Sequence, residues 1–226
     1  MAVDTLNDIQ SKIASLVDQS TTPPSSGGSE WNIRTTFINR AIKEWSEAYD
    51  WENLRSITWL NTSGVSGATL ALPADFRKMA AYPNFYDGSI DGGEDWSEIM
   101  PHEINLHIST DKYFYILGDV GHGFYMIWNP ATLASGTTIN IQYYKNPTVL
   151  SVTTDATECP NPEFLIDRTM AFIFEARSDA RFQEVEAKAR EKLLQMIDNE
   201  NAKSVAYRNE VKTPEKLYYN FRVGRD

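Results

Sequence analysis

Apolar residues recur at helical spacing in the first and last thirds of the chain. This pattern predicts four helices, at about Leu6 to Val17, Trp31 to Tyr49, Glu163 to Arg177 and Phe182 to Val205. The third helix is apolar on nearly every side and includes Phe172, so it has to be buried on several sides.

The middle of the chain changes to short stretches rich in β-branched and aromatic residues, which turn-forming residues separate. The predicted strands are Ser56 to Leu60, Ala68 to Leu72, Lys112 to Leu117, Gly123 to Trp128 and Thr138 to Tyr144. Residues 61–67 and 118–123 are predicted hairpin loops. Because the run from Tyr113 to Leu117 alternates only weakly, we expect a small twisted antiparallel sheet.

These elements predict an α+β fold, a helical bundle of about four helices with an inserted small antiparallel β domain and an extended C-terminal tail. Residues 1–54 and 158–205 form the predicted bundle, 55–157 the β-rich insertion and 206–226 the tail. The length of 226 residues suits one large domain, or one domain with an insertion.

The predicted tail is unusual for a solvated chain end, because it combines aromatic and basic residues. It contains five basic and three acidic residues, in a chain whose net charge is −10. We predict that it binds a partner, although a solvated, unstructured end remains the alternative. The predicted partner-binding residues are Arg208, Lys212, Lys216, Tyr218, Tyr219, Phe221 and Arg222.

Composition excludes several classes of function. A net charge of −10 argues against a protein that grips nucleic acid by its phosphates. The single cysteine, Cys159, excludes a disulfide within the chain and favours synthesis in a reducing compartment. The polar N-terminus does not resemble a signal peptide, and no stretch approaches the roughly 20 apolar residues of a membrane span, so no membrane partner is predicted.

Residues capable of chemistry are present, but their spacing does not favour a reactive site. Cys159 follows Glu158, which opposes the electropositive setting that a reactive thiolate needs. The histidines do not have the spacing of metal ligands, and four carboxylates crowd a Gly-rich loop that we interpret as a solvated turn. These residues are His102, His107, His122, Asp91, Glu94, Asp95 and Glu98. We therefore predict no catalytic residue, no metal site and no cofactor.

The order of several weak motifs resembles the head-to-tail adaptor (connector) proteins of tailed phages, including the tail tubular protein A type. The resemblance covers about residues 30 to 205. The motifs are the helix ending at Asp50 to Leu54, then Leu72 to Phe76, Thr138 to Pro147, the apolar helix after Pro160 to Pro162, and Ala187 to Met196.

This resemblance implies a virion structural protein at the neck that joins the portal protein to the tail, assembled in the host cytoplasm. It implies a homo-oligomeric ring, usually of twelve copies, whose lumen passes DNA without binding it specifically. The C-terminal segment would clasp the portal, and the β region would face the tail or a nozzle or terminator protein. Glu184, Glu186 and Glu191 are candidates to line the channel, or else solvent-exposed ion-pair partners.

Two other classes of function stay open on sequence alone. A carbohydrate- or receptor-binding tail module would use surface aromatics of the β region to stack on sugars. Its candidate residues are Tyr82, Phe85, Tyr86 and Trp96. An enzyme, such as a hydrolase that uses Asp and Glu, would instead need a pocket that perturbs the pKa of its carboxylates.

Overall fold

The computed structural model describes residues 4–62, 68–80, 85–87, 96–129 and 136–210, with backbone alone for residues 86–87 and 204–210. The chain divides into two compact units. The helical unit comprises Met1–Asn53 and Thr148–Asp226, and the β unit comprises Leu54–Pro147.

Four α-helices form the framework of the helical unit: α1 (Leu6–Val17), α2 (Ser29–Ala48), α3 (Pro162–Ala176) and α4 (Phe182–Glu210). Each lies within a few residues of its predicted position, and α4 continues five residues beyond the predicted end. Thr5 caps α1, because its hydroxyl accepts the Asp8 N–H while the Asp8 carboxylate accepts the Thr5 N–H.

Helix α3 is the centre of the helical unit and contacts α1, α2 and α4. Every residue from Phe164 to Phe174 is buried except Arg168, which confirms the predicted burial on several sides. Phe172 lies between two guanidinium groups, with the Arg40 Cζ 4.1 Å and the Arg168 Cζ 4.4 Å from its ring centroid. The Arg40 contact joins α2 to α3, whereas Arg168 lies on the same helix as Phe172.

An ion-pair network around the buried Arg34 links the ends of α1 and α2. The Arg34 side chain is 2% exposed, and its guanidinium binds the carboxylates of Asp18 and Glu30 at 2.5 and 2.9 Å. Arg177 at the C-cap of α3 approaches the same two carboxylates, at 4.0 and 3.5 Å. The network therefore holds three helix ends together.

The first sheet of the β unit is built around one central strand. It contains β1 (Arg55–Asn61), β3 (Phe76–Met79), β4 (Phe85–Asp87) and β8 (Thr138–Lys145). Strand β1 pairs antiparallel with one edge of β8, while β3 and β4 pair with its other edge.

The second sheet has the order β2 (Thr69–Ala71), β7 (Gly123–Trp128), β6 (Tyr113–Asp119) and β5 (Ser97–Glu98). Strands β6 and β7 form the hairpin predicted at residues 118–123. Gly118 has φ +127°, and a Cβ there would collide with the Gly123 carbonyl, so the tight turn requires glycine.

The two sheets share one hydrophobic core, and therefore pack face to face. The first sheet contributes Ile139, Ile141 and Tyr143 from β8, and the second contributes Phe114, Met126 and Trp128. Short 3-10 helices occupy Glu52–Leu54 and Pro101–Leu106.

The predicted small antiparallel β domain inserted in a helical bundle is wrong. The β unit has eight described strands in two four-stranded sheets, and β5 pairs parallel to β6. The predicted hairpin at 61–67 is also wrong, because β1 and β2 belong to different sheets. Strands β3, β4 and β5 were not predicted, since two to four residues are too few to show a periodicity.

Substituting Leu165, which is fully buried on α3, tests the burial of this helix. Leu165→Asp would bury a carboxylate in an apolar surrounding, at a cost of several kcal/mol, roughly, and should prevent folding. Circular dichroism and thermal unfolding measure the effect. Glu175→Asp, on an exposed position of the same helix, is the control and should unfold near the wild-type temperature. A Leu165→Asp protein as stable as this control would contradict the packing.

Candidate functional site

The predicted reactive candidates are mostly engaged in local turns. His122 contacts Asp119 at 2.9 Å and His107 contacts Asp111 at 3.3 Å, while His102 and Glu98 are exposed. Within the described part of the chain, no three His, Cys, Asp or Glu side chains converge as metal ligands would. The candidates Asp91, Glu94 and Asp95 lie outside the described residues.

Cys159 is a buried thiol whose Sγ lies 3.4 Å from the Asn161 carbonyl oxygen. Burial raises the pKa of Cys159 to about 12, because the charged thiolate is poorly solvated there. The side chain therefore stays protonated near neutral pH and packs as a small apolar group.

Two of the aromatics that a sugar-binding module would need are unavailable for stacking. Phe85 and Trp96 are each 1% exposed and pack on one another, with ring centroids 5.0 Å apart, in the core of the β unit. Tyr82 and the side chain of Tyr86 lie outside the described structure.

The outer face of the second sheet carries mostly uncharged residues. Residues paired across the strands share a face, which places Tyr115 beside Ile127 and Leu117 beside Tyr125. The adjoining positions on β2 and β5 are Thr69, Ala71 and Ser97. We call this surface the tyrosine face, and its strand positions are Thr69, Ala71, Ser97, Tyr113, Tyr115, Leu117, Asp119, Gly123, Tyr125 and Ile127.

The tyrosine face departs from the usual pattern of an antiparallel sheet, which puts apolar residues on one side and polar or charged residues on the other. Leu117 and Tyr125 remain 44% and 42% exposed. Beyond them, Val120 at the hairpin tip is 90% exposed. The outer face of this sheet therefore exposes apolar and aromatic side chains beside the Asp119 carboxylate.

The hairpin tip that carries Val120 is held by a carboxylate. The Asp119 Oδ1 accepts the N–H groups of Gly121 and His122 at 2.7 and 2.9 Å. The hydrogen bond with the His122 ring and these two amides lower the pKa of Asp119. The Asp119 carboxylate therefore binds the backbone of its own turn.

The outer face of the first sheet exposes two apolar residues of strand β1, next to Arg55 on the same face. Ile57 and Trp59 are 52% and 53% exposed, and both lie on the face opposite the core. Among the described strands, only β8 pairs with β1, so β1 is an edge strand. We call Ile57 and Trp59 the β1 strip.

A buried amide lies beside the β1 strip. Asn140 on β8 is the cross-strand partner of Trp59 and is fully buried. Neither its Oδ1 nor its Nδ2 has a hydrogen-bond partner in the described structure. Buried amides are normally paired, so this unpaired group makes the outer face of the first sheet costly in an isolated subunit.

The predicted tail residues are not brought together by the described structure. The backbone at Arg208 lies in α4, and the predicted residues from Lys212 to Arg222 lie outside the described residues. Of the candidate channel residues, Glu184 pairs with Lys188 at 2.6 Å and Glu186 with Arg168 at 3.4 Å. Glu191 accepts a hydrogen bond from Gln195 at 3.2 Å.

Sequence reasoning missed both apolar surfaces of the β unit. For the tyrosine face, the sequence signal is the weak alternation of apolar and polar residues in the β6 segment. From the sequence, we use that signal only to predict a small sheet. A strand with apolar residues on both sides is buried on both sides or binds a partner with one of them.

The β unit is thus a two-sheet structure that exposes some apolar side chains on the outer faces of both sheets. The sequence matches the SU10 adaptor protein family over residues 4–213, and the chain belongs to that family. It is therefore a phage adaptor, a structural protein of the virion. No curated protein matches the sequence significantly.

A search for membrane-crossing elements gave a negative result. Within the residues that the structure describes, no helix has both the length and the apolar character that a crossing of the bilayer demands.

The raised pKa of Cys159 predicts that its thiol reacts slowly in the folded protein. At pH 8 the native protein should react with a thiol reagent about three orders of magnitude more slowly than the unfolded chain, because a thiol of pKa about 12 is almost never ionised there. Absorbance at 412 nm with Ellman's reagent, with and without guanidinium chloride, measures both rates. Equal rates would contradict the burial of this side chain.

Proposed function

We propose that the chain is a subunit of a head-to-tail adaptor ring in the neck of the virion, which joins the portal protein to the tail. The supporting observation is membership of the SU10 adaptor protein family, over nearly the whole chain. The resemblance to connector proteins adds the expectation of a homo-oligomeric ring, usually of twelve copies, assembled in the host cytoplasm before it joins the particle.

In this proposal the C-terminal segment docks on the portal. Helix α4 is 29 residues long, so it spans roughly 43 Å at 1.5 Å per residue and can carry the segment that follows Glu210 away from the other helices. That segment supplies aromatic anchors and basic residues, which suit a groove on another protein. The proposed docking residues are Arg208, Lys212, Lys216, Tyr218, Tyr219, Phe221 and Arg222.

The β unit is the proposed contact with the tail, or with a nozzle or terminator protein, and the lumen of the ring passes DNA without specific binding. The net charge of −10 supports such a conduit, because a channel wall that neutralised phosphates would hold the DNA. The role is structural, and the proposal includes no catalytic step.

The carbohydrate-binding alternative loses two of its four candidate residues. Sugar stacking requires exposed aromatic faces, whereas Phe85 and Trp96 are core residues of the β unit. The exposed aromatics Trp59 and Tyr125 lie on the β1 strip and the tyrosine face and are not among those four candidates.

A truncation after Glu210 tests the proposed portal contact. Because α4 ends at Glu210, the shortened chain retains every described helix and strand and should fold like the full chain. It should fail to bind purified portal rings, and co-sedimentation with those rings, read by gel, measures binding.

The matched control separates side-chain recognition from tail length. A full-length chain with Tyr218→Ser, Tyr219→Ser and Phe221→Ser should lose portal binding as the truncation does, because these substitutions remove the aromatic anchors. A full-length chain with Thr213→Ser should bind normally. Normal binding by the truncated chain would show that the tail is not the portal contact.

A further inference from the structure

We propose that the end of α2 positions the C-terminal segment of the chain. Tyr49 and Glu52 bind the distal part of α4, and these contacts fix the direction in which α4 carries that segment away from the other helices. This inference rests on the proposed docking of the segment on the portal, and it names residues that prepare the segment for docking. All of them lie in the helical unit.

Helix α3 supports only about the first half of α4. The two helices run antiparallel, because successive positions toward the end of α4 contact successively earlier positions on α3. These contacts join Arg181 to Phe174, Glu186 to Arg168 and Lys192 to Asp167. Asp167 lies five residues after Pro162, the first residue of α3, so α4 passes the start of α3 about five residues beyond Lys192. The remainder of α4, to Glu210, extends past α3.

Beyond the start of α3, the end of α2 holds α4. The Tyr49 hydroxyl donates to the Asn201 Oδ1 at 2.8 Å, and the Glu52 N–H donates to the Glu200 Oε1 at 3.3 Å. We call these two hydrogen bonds the α4 clamp. Adjacent residues of a helix point about 100° apart, so bonds to both of them resist rotation of α4 about its axis as well as tilting.

The α2 side of the α4 clamp is rigid, because Tyr49 belongs to an aromatic cluster. Its ring packs edge-on against Trp51 with the ring centroids 5.4 Å apart, and Trp51 stacks on Trp45 at 5.4 Å. Trp45 and Trp51 are 0% and 1% exposed, and the Trp51 indole N–H donates to the Trp45 carbonyl at 2.6 Å. Close-packed aromatic rings of this kind keep one arrangement. The α4 clamp therefore ties the distal part of α4 to the core of the helical unit.

The direction of α4 determines where the docking segment begins. The helix continues from Asn201 to Glu210, which is roughly 13 Å at 1.5 Å per residue, so a change in tilt at the α4 clamp displaces the start of the segment. A segment that already starts in the right place loses less freedom when it binds. Tyr49 and Glu200 are thus positioning residues, which strengthen docking without contacting the portal.

A double variant removes the α4 clamp with little change to packing. Tyr49→Phe/Glu200→Ala deletes one hydroxyl and one carboxylate, keeps the aromatic ring and leaves a strong helix former in α4. The matched control Tyr125→Phe/Glu184→Ala makes the same substitutions at an exposed tyrosine of the β unit and at an exposed glutamate whose partner, Lys188, lies on α4 itself. Both variants should unfold near the wild-type temperature, as measured by circular dichroism.

Double electron–electron resonance measures the direction of α4. Nitroxides at Lys43→Cys on α2 and Ala202→Cys on α4, both exposed positions, should give one narrow distance distribution in the wild-type and control backgrounds. The Tyr49→Phe/Glu200→Ala background should give a broader distribution, because the distal part of α4 is released. The native Cys159 is not labelled, since its thiol is buried and protonated. Equal widths in all three backgrounds would overturn the proposal.

Titration of purified portal rings, read by co-sedimentation, measures the effect on docking. The Tyr49→Phe/Glu200→Ala chain should bind about tenfold more weakly than the control, because two hydrogen bonds favour the competent direction of α4 by about that factor. Equal affinities would overturn the positioning role. If the double variant does not fold, Tyr49→Phe alone removes a single oxygen atom and takes its place. Failure of the wild-type chain to bind the portal would instead contradict the proposed function, and the distance distributions would then decide whether the α4 clamp fixes α4.

Discussion

Helix α3 is the constraint on which the helical unit depends. Ten of its fifteen residues are buried, so it cannot lie on a surface, and other helices have to surround it. Helices α1, α2 and α4 do so, and each needs only one apolar face for the purpose. The exception on α3 is Arg168, whose guanidinium reaches the Glu44 carboxylate at 2.6 Å while it packs on Phe172. Desolvation opposes the charge of Arg168, but its acidic partners outweigh this cost, and its pKa is raised.

The β unit differs from the helical unit, because its strands carry apolar residues on the outer face as well as on the core face. In the β6–β7 hairpin, Phe114 and Met126 point into the core while Leu117 and Tyr125 point away from it. The isolated unit thus leaves apolar surface in water, at a cost of roughly 25 cal/mol per Å². The unpaired amide of Asn140 on the other sheet is a second cost of the same kind.

The helices could be predicted from sequence because their signal is local. The apolar spacing from Leu6 to Val17 gives the bounds of α1, and Thr5 has the side chain that its cap requires. The topology of the β unit could not be predicted, since pairing partners lie far apart in the chain. Strand β8 joins β1 to β3 and β4 across more than fifty residues, and no local pattern encodes which sheet a strand enters. The two apolar surfaces could have been suspected from the weak alternation of β6, but not located, because their composition depends on pairing across strands.

Charge and apolar surface together explain how such a subunit could remain dispersed before assembly. Free copies of net charge −10 repel at distances up to about a Debye length, which is ~8 Å at physiological ionic strength. The apolar surfaces act only at contact, so repulsion opposes random encounters while an aligned contact still buries Trp59 or Leu117. A ring of portal subunits that bound the C-terminal segments would hold adaptor copies side by side and raise their local concentration. In the proposed neck, assembly would then be favoured on the portal, because bound C-terminal segments raise the local concentration of the copies.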